Sequence, residues 1–136
     1  MDFYEAEMRR LFDGNRVIRE AKFIGKTMLG KLDDELRVKL QFLATFVHGH
    51  YDAIQAIIIN RTDGEVDRQL FRFSDMIGKQ SYGGGEISPY IWDDGKPEWY
   101  VPVSDTDMKT IADTILDYVG MYSPEETEEI NGMKMR

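Results

Sequence analysis

The stretch Ala53–Ser74, AIQAIIINRTDGEVDRQLFRFS, predicts a β-hairpin and decides the fold class. Asp63-Gly64 is a dipeptide typical of two-residue type I′ turns, because both central residues of that turn need a positive φ. The dipeptide stands between two runs rich in isoleucine, valine and phenylalanine, which is the composition of β-strands. A two-residue loop at this place pairs Ile58 with Gln69 in the predicted register.

The predicted register gives the hairpin one apolar face and one mixed face, since side chains alternate along a strand. The apolar face consists of Ile54, Ala56, Ile58, Phe71 and Phe73. The mixed face carries apolar, amide and basic side chains, namely Gln55, Ile57, Ile59, Arg61, Val66, Arg68, Leu70 and Arg72. An apolar face needs a covering element, so we expect helices to lie over it and both phenylalanine side chains to be buried.

The sequence on either side of the hairpin predicts further strands and two helices. Apolar residues recur at helical spacing in residues 3–12 and again in residues 105–122, which follow Ser104, a residue type that caps helix N-termini. Between the first helix and the hairpin, residues 16–31 have the pattern of extended segments. In Leu36–Val47 apolar and polar side chains alternate, as in an antiparallel strand with one covered side.

These elements predict one α+β domain. Its architecture is an antiparallel meander of about five strands flanked by an N-terminal and a C-terminal helix, with both helices on one face. Residues 1–122 form the domain, and we expect residues 123–136 to be a mobile acidic tail. A chain of 136 residues, of which 42% are hydrophobic and 12% aromatic, is large and apolar enough to form one core.

The composition excludes several classes of protein. The chain contains no cysteine, which excludes disulfide scaffolds, thiol catalysis, iron–sulfur clusters and cysteine-ligated zinc. No apolar run approaches the ~18 residues that a membrane span needs. Acidic residues stand near the N-terminus, where a signal peptide would carry basic ones. We therefore expect a cytoplasmic protein that binds neither a membrane nor a cofactor.

Charge is distributed unevenly along the chain. Residues 1–60 hold nine basic and nine acidic residues, whereas residues 61–136 hold eight and sixteen and so carry the whole net charge of −8. Such a field repels the phosphates of DNA and RNA and favours basic partners. The sequence therefore predicts a protein partner with a basic surface and no direct nucleic-acid binding. An acidic surface that only keeps the protein soluble is the alternative.

The predicted contact surface combines an acidic aromatic segment with the last helix. The segment around Asp94-Gly95 predicts a short hairpin, whose aromatic residues fit core packing as well as contact with a partner. Asp113 and Asp117 are four residues apart, on the side of the helix away from its apolar stripe. The candidate partner-binding residues are Asp93, Asp94, Glu98, Trp99, Tyr100, Asp113 and Asp117.

Two motifs raise the alternative that the protein binds a metal or a phosphate group. His48, His50 and Asp52 could ligate a metal, because residues two apart on a strand point to the same side. A small metal-dependent enzyme using these three residues is the runner-up hypothesis, although an ordinary turn accounts for the same sequence. The glycine run Gly83–Gly85 precedes an acidic residue and lacks the Lys-Ser/Thr of a P-loop. The leading prediction is therefore no metal site and no catalytic residue.

Two segments, VKLQFLATFVHGHYDAIQAIIINRTDGEVDRQLFRFSDMIGK and ISPYIWDDGKPEWYVPVSDTDMKTIADTILDYV, carry a resemblance to known proteins. The chain resembles small uncharacterised proteins carried by phage-like and conjugative elements of bacteria, and no catalytic motif comes with the resemblance. It implies an accessory role in a mobile genetic element, where small acidic proteins inhibit or regulate host machinery such as a CRISPR effector. The prediction is a non-enzymatic interaction protein that regulates or inhibits a host nucleic-acid-binding or defence protein.

Overall fold

The computed structural model describes residues 3–45, 51–77 and 104–123. Along the chain the elements are α1 (Phe3–Phe12), β1 (Arg19–Ile24), β2 (Thr27–Lys31), β3 (Leu36–Leu43), β4 (Ala53–Asn60), β5 (Gly64–Arg72), α2 (Phe73–Ile77) and α3 (Asp105–Gly120). The predicted loop with Gly83–Gly85, the predicted aromatic hairpin and the predicted tail from residue 124 lie outside the described residues.

The five strands form one antiparallel sheet in the order β1-β2-β3-β4-β5, which confirms the predicted fold class. α1 packs against β1 and β2, α3 packs against β4, and the short helix α2 lies between β5 and α3. No described helix is long and apolar enough to cross a membrane. The architecture is therefore a meander with its helices on one face.

Alternation along the central strands produces the core. In β3 the side chains of Val38, Leu40 and Phe42 are buried, while their neighbours along the strand are only half-buried. β4 contributes Ile54, Ala56 and Ile58 to the same face. The helices cover this face with Tyr4, Met8, Phe12, Phe73, Met108, Ile111, Ile115 and Val119. Burying this apolar surface is what holds the helices on the sheet.

The hairpin turns at the predicted place, but the predicted two-residue loop is wrong. Its loop has three residues, Arg61–Asp63, and Asn60 pairs with Gly64 to close it. The side-chain oxygen of Asn60 accepts hydrogen bonds from the backbone N–H groups of Thr62 and Asp63, at 2.8 and 3.0 Å. Gly64 has a φ of 92°, which only glycine adopts easily. The asparagine therefore selects the longer loop.

The register of the hairpin also differs from the prediction. Ile59 pairs with Glu65 and Ile58 with Asp67, so a β-bulge leaves Val66 as an extra residue in β5. The predicted partner of Ile58 is Gln69, so the observed register is shifted by two residues from the predicted one. Because side chains repeat every second residue, this even shift keeps the side chains from Asp67 onward on their predicted face, whereas Glu65, before the bulge, changes face. The apolar face is therefore correct although its partners are not.

The two phenylalanine residues at the end of the hairpin differ in burial. Phe73 is buried as predicted, but it begins α2 instead of continuing the strand. Phe71 lies on the edge strand and is only half-buried, with its ring 5.5 Å from that of Tyr118. The edge position explains the difference, because an edge strand has a neighbour on one side only.

Gly30 allows a close approach between β2 and the segment that leads into β1. A Cβ atom at Gly30 would lie 2.1 Å from Cγ2 of Ile18, a buried and β-branched side chain. We expect Gly30→Ala to lower the free energy of unfolding by ~1–3 kcal/mol through overpacking. Ile18→Ala removes the clashing atom, so urea unfolding of the double variant should show a loss smaller than the sum of the single losses. Additive losses would contradict the clash.

Candidate functional site

Two of the predicted partner-binding residues lie in described parts of the structure. Asp113 and Asp117 are in α3, and both are exposed. The other five, Asp93, Asp94, Glu98, Trp99 and Tyr100, lie outside the described residues, as do His48 and His50 of the alternative metal site. The described candidate site is therefore the outer side of α3.

The cap and the apolar stripe of α3 determine where the helix begins and which of its sides faces solvent. The hydroxyl of Ser104 accepts a hydrogen bond from the backbone N–H of Asp107 at 3.2 Å, so it caps the helix as predicted. One stripe of the helix is buried against the sheet and α1, namely Met108, Ile111, Ala112, Ile115 and Val119. This stripe orients the helix, and the residues between its members are turned outward.

Four residues spaced four apart form a line on the outer side of α3: Asp105, Lys109, Asp113 and Asp117. We call this line the acidic ridge. All four residues are exposed, and the line extends ~18 Å along the helix at 1.5 Å per residue. Three carboxylates and one ammonium give the ridge a net negative charge.

Two carboxylates of the acidic ridge are engaged in exposed ion pairs. Asp105 accepts a hydrogen bond from Arg10 of α1 at 2.6 Å, and Asp113 accepts one from Lys109 at 2.8 Å. The hydrogen bond from Lys109 and the charge of Asp113 raise the pKa of the Lys109 ammonium. Exposed pairs of this kind contribute little to stability. A cation of a partner could therefore replace Arg10 or Lys109 in these pairs at little cost in stability.

A shallow groove runs beside the acidic ridge, between the end of α1 and α3. Its volume is ≈ 380 Å³, and Leu11, Met108 and Ala112 form its apolar floor. Arg10 and Asp113 are among the charged residues at its rim. The groove thus places apolar surface directly beside the carboxylates of α3, which is the combination found at protein–protein contacts.

Asp52 is the described member of the alternative metal site, and its contacts serve to hold the fold together. Its side chain is buried, and its two carboxylate oxygens accept hydrogen bonds from the backbone N–H of Thr45, at 2.7 Å, and from the Thr45 hydroxyl. The backbone N–H of Asp52 donates to the carbonyl oxygen of Leu43, and the carbonyl oxygen of Asp52 accepts from the backbone N–H of Phe73, both at 3.0 Å. Asp52 therefore fastens the end of β3 to the beginning of β4.

The described residues contain no group of three or more histidine, aspartate or glutamate side chains that could hold a metal ion. Of the three residues proposed for the metal-dependent alternative, only Asp52 is described, and its oxygens are occupied by Thr45. The geometry of the described part gives no support to that alternative.

A carboxylate cluster that the sequence analysis did not predict joins β5 to α3. One oxygen of Asp67 accepts hydrogen bonds from the hydroxyls of Tyr118, at 2.8 Å, and Tyr122, at 2.7 Å. These bonds lower the pKa of the Asp67 carboxyl. The pKa of Tyr118 is raised, first by partial burial and then by the carboxylate, and the hydrogen bond to Asp67 raises that of Tyr122. Both hydroxyls donate to the carboxylate of Asp67, so the cluster joins β5 to α3.

The position of this cluster depends on the register of the hairpin. In the predicted register Asp67 lies opposite Asn60, and the bulge moves it two residues along the same face, to the position opposite Ile58. Tyr118 and Tyr122 are four residues apart on α3, so they reach the same point of the sheet edge. The spacing of the tyrosines places their hydroxyls on one side of α3, but no local pattern joins them to Asp67, which is 51 and 55 residues away in sequence.

Comparison of the chain with protein-family models, with curated proteins and with solved structures finds no match in any of the three.

Proposed function

We propose that this chain is a non-enzymatic interaction protein that binds a basic surface of a partner protein. In the setting that the resemblance implies, the protein belongs to a bacterial mobile element and regulates or inhibits a host nucleic-acid-binding or defence protein, such as a CRISPR effector. The observation that carries the proposal is the acidic ridge, whose three carboxylates stand exposed on a helix that is fixed to the core along its opposite side.

The chemistry of the acidic ridge suits a surface that normally holds phosphates. Successive positions of the ridge are ~6 Å apart along the helix axis. The three carboxylates of the acidic ridge could pair with the lysine and arginine side chains that neutralise a phosphate backbone, once these replace Arg10 beside Asp105 and Lys109 beside Asp113. Occupying such a row would exclude the nucleic acid, which is a simple means of inhibition.

Two buried or partly buried carboxylates of the described chain serve the fold instead of a reaction. Asp52 is bonded to Thr45, and Asp67 is bonded to two tyrosine hydroxyls. Hydrolytic mechanisms based on carboxylates need two such groups facing one another across a cleft. Asp52 and Asp67 are separate tethers and do not form such a pair.

Charge reversal on the acidic ridge tests the proposal. We expect Asp113→Lys/Asp117→Lys to weaken binding at least ~10-fold to a host protein captured by the wild type, because two attractive contacts become repulsive. Binding by the wild type should also weaken as the salt concentration rises. The readout is capture from host lysate, followed by titration of the identified partner.

The matched control is Glu35→Lys/Asp63→Lys, which changes the net charge equally at two exposed positions near the end of the β4–β5 hairpin. It should bind like the wild type. Equal binding by all three proteins, unaffected by salt, would show that the acidic ridge is only a solvated surface and would refute the proposal.

A further inference from the structure

The second face of the sheet carries no helix in the described part of the chain, because α1, α2 and α3 all pack on the first face. Leu29 and Leu70 on this second face are 39% and 36% exposed, and Ile24 at its corner is 62% exposed. We call this surface the open face. The strand pairing places Leu29 and Leu70 three strands apart, so the exposed apolar side chains are distributed across the open face and do not form one patch.

The strand register aligns basic and apolar side chains in a row across the whole open face. Pairing in all four ladders gives the sequence Lys22, Leu29, Lys39, Ile57 and Arg68, one residue from each strand. At ~4.8 Å between strands the row spans ~19 Å. The row thus alternates positive charge with apolar surface from one edge of the sheet to the other.

A second row makes the open face still more basic. Lys31 pairs directly with Arg37, and Arg37 is two residues from Lys39 on the same strand. Like charges directly opposite one another destabilise a sheet. Lys31 has weak ion pairs with Glu20, at 3.5 Å, and Asp34, at 3.6 Å, both of which are largely exposed. Arg37 donates hydrogen bonds to the carbonyl oxygens of Asp33 and Leu36, at 2.7 and 3.1 Å. Because exposed ion pairs contribute little to stability, carboxylates of a partner could replace Glu20 and Asp34 beside Lys31.

The charge of the open face is opposite to that of the whole chain. Its two rows hold six basic residues and one acidic residue, namely Arg19, Lys22, Lys31, Arg37, Lys39, Arg68 and Glu65. Arg68 is paired with Glu65 of the same strand at 2.5 Å. In a protein with a net charge of −8, this is a segregated basic surface. Lys22, Leu29, Lys31 and Arg37 also line a depression of ≈ 320 Å³, together with Gly30 and with Glu20, the carboxylate that is paired with Lys31.

We propose that the open face docks an acidic amphipathic segment of a partner protein. Its cations would pair with carboxylates of that segment, and Leu29, Ile57 and Leu70 would contact its apolar side. A nucleic acid fits less well, because isoleucine and leucine offer nothing to phosphates and the described rows of the open face hold no aromatic side chain on which a base could stack. The surface is separate from the acidic ridge, so the proposal does not depend on the proposed function.

Titration with a synthetic peptide tests the docking surface. The probe is a labelled 18-residue helical peptide with leucine on one side and glutamate on the other, followed by fluorescence anisotropy. We expect it to bind the wild type, to bind more weakly at higher salt, and to lose at least ~10-fold in affinity on Lys39→Glu. The control Arg16→Glu makes the same change of charge at an exposed residue of the α1–β1 connection and should bind within ~2-fold of the wild type.

Further measurements in the same experiment distinguish the acidic peptide from other ligands that the open face could bind. Ile57→Thr should weaken peptide binding several-fold, because it removes apolar contact while it keeps a β-branched side chain. Asp113→Lys/Asp117→Lys should leave peptide binding at least as strong as in the wild type. Equal binding by Lys39→Glu and Arg16→Glu would overturn the proposal. Tighter binding of a 20-base-pair DNA, or self-association that Lys39→Glu abolishes, would overturn it in favour of a nucleic acid or a second copy.

Discussion

Replacement of Phe73 by alanine is expected to lower the free energy of unfolding by ~3–5 kcal/mol. The side chain is 1% exposed at the start of α2, and its ring lies 6.5 Å from that of Phe42 in an edge-to-face arrangement. Its removal leaves a cavity where the helices meet the sheet, and close-packed neighbours relax only in part. Urea unfolding monitored by circular dichroism measures the loss.

Phe71→Ala is the matched control, since it deletes the same atoms two residues away. Phe71 is half-buried at the sheet edge, where it contacts Tyr118, so we expect a loss of only ~1–2 kcal/mol. Equal losses for the two variants would contradict the description of Phe73 as core and Phe71 as edge.

Replacement of Asp52 by alanine is the second large effect, with an expected loss of ~2–4 kcal/mol. The substitution removes two charge-assisted hydrogen bonds and leaves the backbone N–H of Thr45 without the acceptor that it has in the native protein. The connection between β3 and β4 should then open before the rest of the sheet. Hydrogen exchange at Thr45, together with urea unfolding, measures both consequences.

Asp52→Asn is the control for this prediction, because the carboxamide keeps the shape and one oxygen acceptor. We expect roughly half the loss of the alanine variant. If Asp52→Ala were as stable as the wild type, the carboxylate would have no structural role, and the metal-dependent alternative would regain its described ligand.

The fold could be predicted from the sequence largely because its strands alternate clearly. Alternation in β3 and in the hairpin identifies the buried face, and an even error in register leaves that assignment intact. The loop length could not be read from Asp63-Gly64 alone, since the side chain of Asn60 selects a three-residue loop. The start of α2 at Phe73 was also missed, because five residues are too few for a helical periodicity to be visible.

The candidate site was predictable only where one helix contains it. Asp113 and Asp117 lie on the outer side of α3 as the spacing predicts, and Lys109 is near enough in sequence to be expected beside Asp113. The contact of Asp105 with Arg10 joins residues 95 positions apart, which no local pattern indicates. The basic open face is not visible in the net charge of each half of the chain, because its cations come from different strands.

The most direct test of the acidic ridge as a binding surface is an amide NMR titration of the protein with the purified partner that the wild type captures. We expect shift changes concentrated in residues 105–117 of α3 and in the end of α1 that holds Arg10, and we expect these changes to be lost in Asp113→Lys/Asp117→Lys. Shift changes confined to the sheet, or unchanged by the substitutions in α3, would contradict this expectation.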